Sequence, residues 1–271
     1  MSAGARSVVS LRGAGLAFGD RVLWEGLDLD IHRGEYFAVL GGNGTGKTSF
    51  LKVLLGLLPL REGTVEVAGR PPRRGSGRTG YVPQQRAFAA GTPLRARDLV
   101  GLGVDGHRWG LRLRAGAHRR RVDELLELVG AGAYADAPVG ALSGGEQQRL
   151  RVAQAVAADP QLLLCDEALL SLDLHHQRAV SELVDAQRRR TDAAVVFVTH
   201  EINPIIDHVD RILYLAGGRF RVGTPDEVLR GDVLSELYGT RIDVVRTGGR
   251  VVVVGHPDSS HHTHDDEEVA R

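Results

Sequence analysis

Apolar and polar positions alternate with two different periods along the chain, and the changes of period predict where strands and helices lie. Residues 8–31 alternate and turn as short β-strands do, and residues 35–40 (EYFAVL) form a buried apolar run that leads into a glycine-rich loop. Residues 48–58 (TSFLKVLLGLL) have the spacing of a helix, which Pro59 should end. Residues 63–68 (GTVEVA) alternate again, so the first part of the chain predicts strands around one helix.

A long helical pattern follows, and then apolar strands return. Residues 94–158 are rich in Leu, Ala, Arg and Glu at helical spacing, which predicts a mostly helical segment. Residues 162–166 and 194–199 are short apolar runs, and we expect a helix between them over about 174–190. Strands that alternate with helices in this way usually pair in parallel, so the pattern predicts an α/β fold with a parallel sheet.

The last part of the chain loses this alternation. After Gly223 we expect a short helical segment (DEVLRGDVLSELYG) and one strand over 250–254. Residues 256–271 (HPDSSHHTHDDEEVAR) have no periodicity, which predicts a disordered tail. We therefore predict a main domain over residues 1–240 with a helical subdomain at about 90–158, a C-terminal strand extension over 241–255, and the tail over 256–271.

Composition and charge limit the classes of function that the chain can have. The chain carries 34 basic and 34 acidic side chains, so the broad basic surface of most nucleic-acid-binding proteins is not expected. Cys165 is the one cysteine, which excludes an internal disulfide and fits a reducing compartment. The N-terminus lacks the pattern of a secretory signal, and the longest apolar runs are too short to cross a bilayer. We expect a cytoplasmic protein without a nucleic-acid partner, whose membrane role would be through another protein.

The segment GGNGTGKT, residues 41–48, matches the phosphate-loop pattern GxxxxGKT after a predicted strand and at the start of a predicted helix. Glycines allow consecutive N–H groups to surround a β-phosphate, Lys47 can reach the β- and γ-phosphates, and the Thr48 hydroxyl can bind Mg²⁺. A plain glycine turn between strand and helix is the alternative. The residues expected to contact the nucleotide here are Gly41, Asn43, Gly44, Thr45, Gly46, Lys47, Thr48 and Ser49.

Two further features support a phosphate site. Only Lys47 and Lys52 are lysines among the 34 basic residues, which favours a specific need for a compact ammonium group at position 47. The segment LLLCDE, residues 162–167, is an apolar strand that ends in two acids, as the Mg²⁺-associated strand of phosphate-loop NTPases does. We expect Asp166 to hold Mg²⁺ through water and Glu167 to orient the attacking water. Without the phosphate loop, an acidic turn after a core strand would be the simpler interpretation.

The segment LSGGEQQR, residues 142–149, resembles the signature motif of ABC transporter ATPases, and it lies between the phosphate loop and the acidic strand as in that family. At a predicted helix start, Ser143, Gly144 and Gly145 can offer a hydroxyl and N–H groups to an anion. Ser143 and Glu146 also fit a helix capping box, and the two interpretations are compatible. We include Glu146 among the residues expected at the nucleotide.

Other segments resemble landmarks of the same family, in the same order. In YVPQ, Gln84 resembles the glutamine that contacts Mg²⁺ and water and relays to the transporter, with Gln85 as the second choice. Residues 171–173 (SLD) resemble the loop that communicates across the dimer, and His200 resembles the switch histidine at the γ-phosphate, although a lone histidine is usually structural. Phe18 resembles the aromatic residue that stacks on adenine, with a core phenylalanine as the alternative.

The resemblance implies a phosphate-loop NTPase (RecA-like) α/β core with an antiparallel β subdomain and a helical subdomain that carries the signature motif. It implies ATP and Mg²⁺ as ligands, and a homodimer in which one chain's phosphate loop and the other chain's signature serine enclose each ATP. The implied site residues are Thr48, Gln84 and Asp166 at the metal, and Glu167, His200 and Gln84 for catalysis. Ala168 departs from the family, which commonly has proline there, and this predicts a looser loop.

The resemblance also implies a partner and a cargo. Such a subunit energises a membrane permease from the cytoplasmic face, and the stretch after His200 is similar to subunits of manganese, zinc or iron importers, which work with a metal-binding extracytoplasmic protein. Subunits of siderophore or cobalamin importers are the nearest alternatives, and a soluble ABC ATPase acting on ribosomes or DNA is more distant. The histidines and acids of residues 256–271 could bind Zn²⁺ or Mn²⁺ weakly or form a solubilising tail. The arginine-rich residues 108–121 favour a solvated helical face over a lipid or nucleic-acid site.

Overall fold

The computed structural model describes residues 7–84, 87–89, 91–106, 115–170 and 172–255. Gln85, Ser171, part of the arginine-rich stretch and the predicted tail lie outside the described residues. The strands are β1 (Ser7–Phe18), β2 (Arg21–His32), β3 (Tyr36–Gly41), β4 (Glu62–Val67), β5 (Thr79–Val82), β6 (Leu162–Asp166), β7 (Ala194–Val198), β8 (Arg211–Ala216), β9 (Arg219–Gly223), β10 (Ile242–Thr247) and β11 (Arg250–Gly255). The α-helices are α1 (Lys47–Leu54), α2 (Ala96–Asp105), α3 (Ala115–Leu128), α4 (Gly144–Val156), α5 (Leu174–Thr191), α6 (Pro225–Val228) and α7 (Gly231–Tyr238).

A six-stranded sheet with the order β5-β6-β7-β3-β8-β9 forms the centre of the protein. Its first five strands are parallel, and β9 pairs antiparallel with β8. The strands predicted over 35–40, 162–166 and 194–199 are β3, β6 and β7, each within one residue at either end. Because parallel strands end at the same edge of a sheet, the residues that follow β3, β5, β6 and β7 are brought to one edge.

The central strands are covered on both faces. Every residue of β3, β6 and β7 is buried, as expected for parallel strands between two layers. Successive side chains of β3 point to opposite faces, so Tyr36 and Ala38 belong to one apolar cluster while Phe37 and Val39 belong to the other. Cys165 on β6 is fully buried in the first cluster, and this burial raises the pKa of its thiol.

A separate antiparallel sheet with the order β2-β1-β4 packs against the second cluster. Trp24 of β2 meets Phe50 of α1 edge to face, with ring centroids 6.1 Å apart. The sequence pattern predicted short strands in this region, but β1 and β2 are twelve residues long. Their register shifts between Leu11 and Ala14, where Gly13 has a φ of 52°, and this irregularity breaks the alternation that marks a long strand.

Helix α1 is shorter than predicted. The apolar spacing continues to residue 58, but the helix ends at Leu54. Gly56 has a φ of 67°, its N–H donates to the Val53 carbonyl at 3.0 Å, and the Leu57 N–H donates to the Lys52 carbonyl at 2.8 Å. These two hydrogen bonds form a Schellman motif, which ends a helix at a glycine whatever the apolar spacing beyond it.

The segment between β5 and β6 is mostly helical, as predicted. Helices α2, α3 and α4 lie there, with Leu99, Val122 and Leu150 buried in the first apolar cluster. Strand β5 was not predicted, because it has four residues and includes Gly80. A Cβ at Gly80 would overlap the Ala155 carbonyl oxygen of α4 and lie 3.0 Å from Pro160 Cγ, so the glycine allows the end of α4 and the segment after it to pack closely on the strand.

The C-terminal part contains more strands than predicted. The predicted helical segment is the pair α6 and α7, and the predicted strand is β11, but β8, β9 and β10 were missed. Strands β10 and β11 form a hairpin. The Asn203 amide donates to the Val251 carbonyl at 3.0 Å and its Oδ1 accepts the Val251 N–H at 2.8 Å, which joins this hairpin to the segment after β7. The division into domains stays a prediction.

Candidate active site

The predicted phosphate loop connects β3 to the start of α1. Gly46 is the N-cap of α1 with a φ of 102°, and Gly41 and Gly44 have φ values of 144° and 74°, which L side chains rarely adopt. The Phe50 N–H donates to the Gly46 carbonyl at 2.8 Å and is the first rung of the helix. The N–H groups just before it have no acceptor in the preceding turn of a helix, so they are available to an anion at this end.

Lys47 lies inside the loop. Its side chain is buried, and Nζ donates to the carbonyls of Gly41 and Gly42, each at 2.8 Å. Burial lowers the pKa of Lys47, while the charges of Glu167 and Asp166 oppose this shift. The ammonium is therefore held by the carbonyls of the loop and lies within the field of the two acids.

Asp166 ends β6 beside the loop. The Thr48 hydroxyl donates to its Oδ1 at 3.3 Å and the Tyr81 hydroxyl donates to its Oδ2 at 3.2 Å. Burial raises the pKa of Asp166, and the charge of Glu167 adds to this, although the hydrogen bonds from Tyr81 and Thr48 lower it. The same environment raises the pKa of Tyr81 to about 12, through burial first and then the charge of Asp166.

The oxygen donors around Asp166 fit Mg²⁺. A hydroxyl and a carboxylate within hydrogen-bonding distance are ligands of the type that this ion prefers, and it usually keeps several waters as well. A second carboxylate, Glu167, follows directly, and burial disfavours the charge on Asp166. A divalent cation at this position would favour that charge.

Glu167 follows the end of β6 in a backbone conformation that non-glycine residues seldom adopt. Its φ is 46°, and its N–H donates to the Val198 carbonyl at 2.9 Å, which holds it against the end of β7. The Gln84 amide donates to Glu167 Oε2 at 3.2 Å, and His200 Nδ1 lies 3.9 Å from Glu167 Oε1. The three residues predicted to be catalytic are therefore brought together.

A cleft of about 50 Å³ lies beside Glu167 and His200, with Thr199 and Gln177 also in its wall. This volume is sufficient for one water molecule, and the carboxylate and imidazole provide polar partners for it. The arrangement can orient a water molecule for attack and accept a proton from it.

Ala168 replaces the proline that the family commonly has. It is fully buried, and the Leu170 N–H donates to the Glu167 carbonyl at 3.0 Å. The turn after Glu167 is thus closed by a backbone hydrogen bond without proline. Whether the loop is looser than in the family stays a prediction.

The predicted signature segment begins α4, and the capping box proposed as the alternative is present. Ser143 is the N-cap, its Oγ accepts the Glu146 N–H at 3.3 Å, and the Glu146 carboxylate accepts the Ser143 N–H at 2.8 Å. Burial raises the pKa of Glu146, but the hydrogen bonds from Ser143 and the charges of Arg149 and His176 together lower the pKa below its usual value. The carboxylate of Glu146 thus fixes Ser143 by hydrogen bonds. The role of Glu146 as a nucleotide contact stays a prediction.

In the part of the chain that the structure describes, no recorded contact joins the signature residues to the phosphate loop. Ser143 has hydrogen bonds with Glu146 and Gln147, and a Cβ at Gly145 would meet His176. This separation is compatible with the prediction that the two halves of each site come from two chains.

Phe18 lies at the end of β1 and is 52% exposed, so it is not a core phenylalanine. It is paired with Arg21 across the turn between β1 and β2, and the Arg21 guanidinium donates to the Gly44 carbonyl at 2.9 Å. The turn that carries Phe18 is therefore held to the phosphate loop by Arg21.

Sequence reasoning missed Arg21 and Tyr81 as residues of the site. Tyr81 is part of the YVPQ segment, and its position on a strand next to β6 could have placed it near Asp166. No pattern in the sequence indicates that Arg21 contacts the loop, because the contact depends on how the antiparallel sheet lies on α1.

The fold and this site define a phosphate-loop nucleotide-binding protein of the α/β class. A family model described as "ABC transporter" matches residues 24–170, which is more than half of the chain, and the chain belongs to this family. It is an ATP-binding protein of the ABC transporter type and an ATPase, as the sequence predicted. No helix within the described ranges is long and apolar enough to span a membrane.

Solved structures confirm the predicted fold class. A proposed metal-chelate type ABC transporter in an inward-facing conformation is 24% identical, covers 93% of this chain and 99% of its own, and has a TM-score of 0.78. The protein cbiO1 from Clostridium perfringens, part of the ABC transporter complex cbiONQ, is 23% identical over 85% of this chain and 93% of its own, with a TM-score of 0.72. A nucleotide-free ATP-binding cassette from an ABC transporter is 15% identical over 85% of this chain and 96% of its own, with a TM-score of 0.71. At these identities the likeness is one of fold.

Proposed function

We propose that two copies of this chain enclose ATP and Mg²⁺ and use hydrolysis to drive a membrane permease that imports divalent manganese, zinc or iron. The observation that carries the ATPase mechanism is the convergence of Gln84, Glu167 and His200 beside the loop of Lys47, with Asp166 next to Thr48. In this proposal the subunit is peripheral to the cytoplasmic face of the membrane, and a metal-binding extracytoplasmic protein delivers the ion to the permease.

Binding begins at the phosphate loop. The N–H groups at the start of α1 and the Lys47 ammonium hold the β- and γ-phosphates, while the exposed ring of Phe18 stacks on adenine. The Thr48 hydroxyl, Gln84 and Asp166 would hold Mg²⁺, with Asp166 acting through water. When bound, Mg²⁺ neutralises charge on the phosphate oxygens.

Hydrolysis needs an oriented water molecule. Glu167 accepts a hydrogen bond from this water in the cleft beside His200 and directs its lone pair at the γ-phosphorus. His200 contacts the γ-phosphate. Gln84 relays the presence of the γ-phosphate to the permease. The hydrogen bond from Gln84 to Glu167 connects the two roles, since Glu167 orients the water and Gln84 relays the state of the nucleotide to the permease.

The proposed dimer is supported by the distribution of the two phosphate-binding segments. Ser143, Gly144 and Gly145 at the start of α4 offer a hydroxyl and N–H groups, and they complete the site around the nucleotide of the partner chain. Binding of ATP closes the dimer and hydrolysis opens it, and this motion passes to the permease.

The identity of the transported ion is the finer part of the proposal. It is supported by the similarity of the stretch after His200 to subunits of manganese, zinc and iron importers. A second candidate is an importer of metal chelates such as siderophores or cobalamin. This candidate is favoured by the likeness in fold to a proposed metal-chelate type transporter, which extends over 99% of that chain.

Isolation of the tagged protein from native membranes in mild detergent, followed by mass spectrometry, tests the transport proposal. A co-purifying polytopic permease is expected. The complex is then placed in liposomes, and its ATPase activity is measured with Mn²⁺, Zn²⁺, Fe²⁺, a ferric siderophore or cobalamin and the cognate binding protein. Stimulation by a free divalent ion supports the first candidate, and stimulation by a chelate supports the second. Ribosomal or DNA-bound partners would overturn the transport role and leave the ATPase.

A further inference from the structure

Gly145 in the signature segment has a neighbour that explains why this position holds glycine. The residue is buried and helical, so its backbone is one that any residue can adopt. A Cβ at this position would lie 2.6 Å from Cγ and 2.8 Å from Nε2 of His176, closer than real Cβ atoms approach other atoms. The His176 ring therefore occupies the space that a side chain at Gly145 would need.

The His176 ring is fixed from its other side. Its Nδ1 lies 2.8 Å from both carboxylate oxygens of Asp173, and Asp173 Oδ1 also accepts the His176 N–H at 2.9 Å as the N-cap of α5. A carboxylate at one ring nitrogen sets the orientation of an imidazole. The ring thus bridges the start of α5 to the start of α4.

We propose that His176 is a positioning residue that sets the start of the signature helix relative to the loop before α5, so that Ser143 and Gly145 reach the nucleotide of the partner chain. This inference rests on the proposed function, in which the signature segment completes the nucleotide site of the partner chain. Its distinctive consequence is that Gly145 is required because of the ring and not only because of the nucleotide.

Four variants test the inference: Gly145→Ala, His176→Ala, the double variant, and His175→Ala. His175 is the matched control because it is exposed, and its ring contacts His176 at a centroid distance of 5.6 Å without facing Gly145 in the recorded contacts. Each variant is measured for ATP hydrolysis, for ATP-dependent dimer formation in a Glu167→Gln background, and for affinity of the isolated chain for a fluorescent ATP analogue. Thermal melting establishes that each variant is folded.

We expect His176→Ala to lower kcat and dimer formation about tenfold while the affinity of the isolated chain stays within about twofold, because the phosphate loop is untouched. Gly145→Ala should lose both activities, and the double variant should recover to the level of His176→Ala, because removal of the ring makes room for the added methyl group. His175→Ala should behave as the wild type.

Three results would overturn the inference. Wild-type kcat and dimer formation in His176→Ala would remove the positioning role. A double variant no better than Gly145→Ala would show that the nucleotide alone demands glycine. If the unmodified chain neither hydrolyses ATP nor forms an ATP-dependent dimer after Glu167→Gln, the proposed function fails, and this inference fails with it.

Discussion

The side-chain amide of Gln84 donates a hydrogen bond to Glu167 Oε2 at 3.2 Å, which joins the segment after β5 to the end of β6. Both residues follow parallel strands that are neighbours in the sheet, so the register of β5 and β6 sets this distance. A shift of the segment after β5 would move the amide away from the carboxylate. The geometry therefore connects the proposed relay residue directly to the residue proposed to orient water.

Glu167→Gln should lower the rate of ATP hydrolysis at least about a hundredfold, because an amide cannot accept the proton of the attacking water. Binding of ATP should persist and trap a dimer. Phosphate release and light scattering after size exclusion measure the two effects. Glu182→Gln is the control, since Glu182 is exposed and pairs with Arg178 on α5. Undiminished hydrolysis in Glu167→Gln would contradict the assigned role.

Lys47→Arg should weaken ATP binding at least about tenfold even though the charge is kept. The ammonium group fits between the carbonyls of Gly41 and Gly42, and the planar fork of arginine is too large for this buried position. Titration with a fluorescent ATP analogue measures the effect. Lys52→Arg is the matched control, because Lys52 is the other lysine and is exposed. Equal losses in the two variants would argue against a specific site for the lysine.

Asp166→Asn should abolish Mg²⁺-dependent hydrolysis and raise the melting temperature of the nucleotide-free protein at neutral pH. Burial raises the pKa of Asp166 in the folded protein, so the folded state favours the protonated form. The free energy of unfolding should therefore fall as pH rises from the usual pKa of an aspartate through the raised pKa of Asp166. Asparagine is neutral at every pH, so the variant avoids this loss.

The pH dependence of melting checks this account of Asp166. The gain from Asp166→Asn should vanish in acid, where the wild-type carboxyl is already protonated. Asp207→Asn, at an exposed position, should leave both hydrolysis and melting near the wild-type values. A gain in melting temperature that is the same in acid and at neutral pH would show that the charge of Asp166 is not its cause.

Phe18→Ala should weaken ATP binding about tenfold, since stacking of a base on an aromatic ring contributes roughly 1–3 kcal/mol. Phe18→Trp should retain binding because it keeps an aromatic face. Leu57→Ala provides the comparison, because Leu57 is similarly exposed at 44% but follows the C-terminal end of α1, whereas the phosphate loop precedes its N-terminus. Wild-type affinity in Phe18→Ala would place the adenine elsewhere.

The sequence predicted three of the six strands of the central sheet, because β3, β6 and β7 are apolar throughout and follow or precede clear turn signals. These strands were placed within one residue, and Asp166 at the end of β6 lies beside Thr48 of the phosphate loop, as the sequence led us to expect. A strand that is buried on both faces is a continuous run of apolar residues, so it can be recognised in the sequence without any alternation. The end of α1 was not predictable in this way, since the spacing of leucines continues past the glycine that ends it.

Contacts between distant segments were the part that the sequence did not reveal. Arg21 reaches Gly44 across 23 positions, and Tyr81 reaches Asp166 across 85. Neither contact produces a periodic pattern, because each depends on the packing of one element on another. The same holds for His176, whose neighbour Gly145 was recognised only as a member of the signature segment.

The burial of Cys165 makes the chain a convenient starting point for spectroscopy. A thiol that is fully enclosed and has a raised pKa reacts slowly with maleimides, and the chain has no other cysteine. A cysteine introduced at an exposed position such as Val252 on the C-terminal hairpin would therefore be the only reactive one. Spin or fluorescent labels could be attached there on the native background, and the distance between two chains could be followed through the nucleotide cycle.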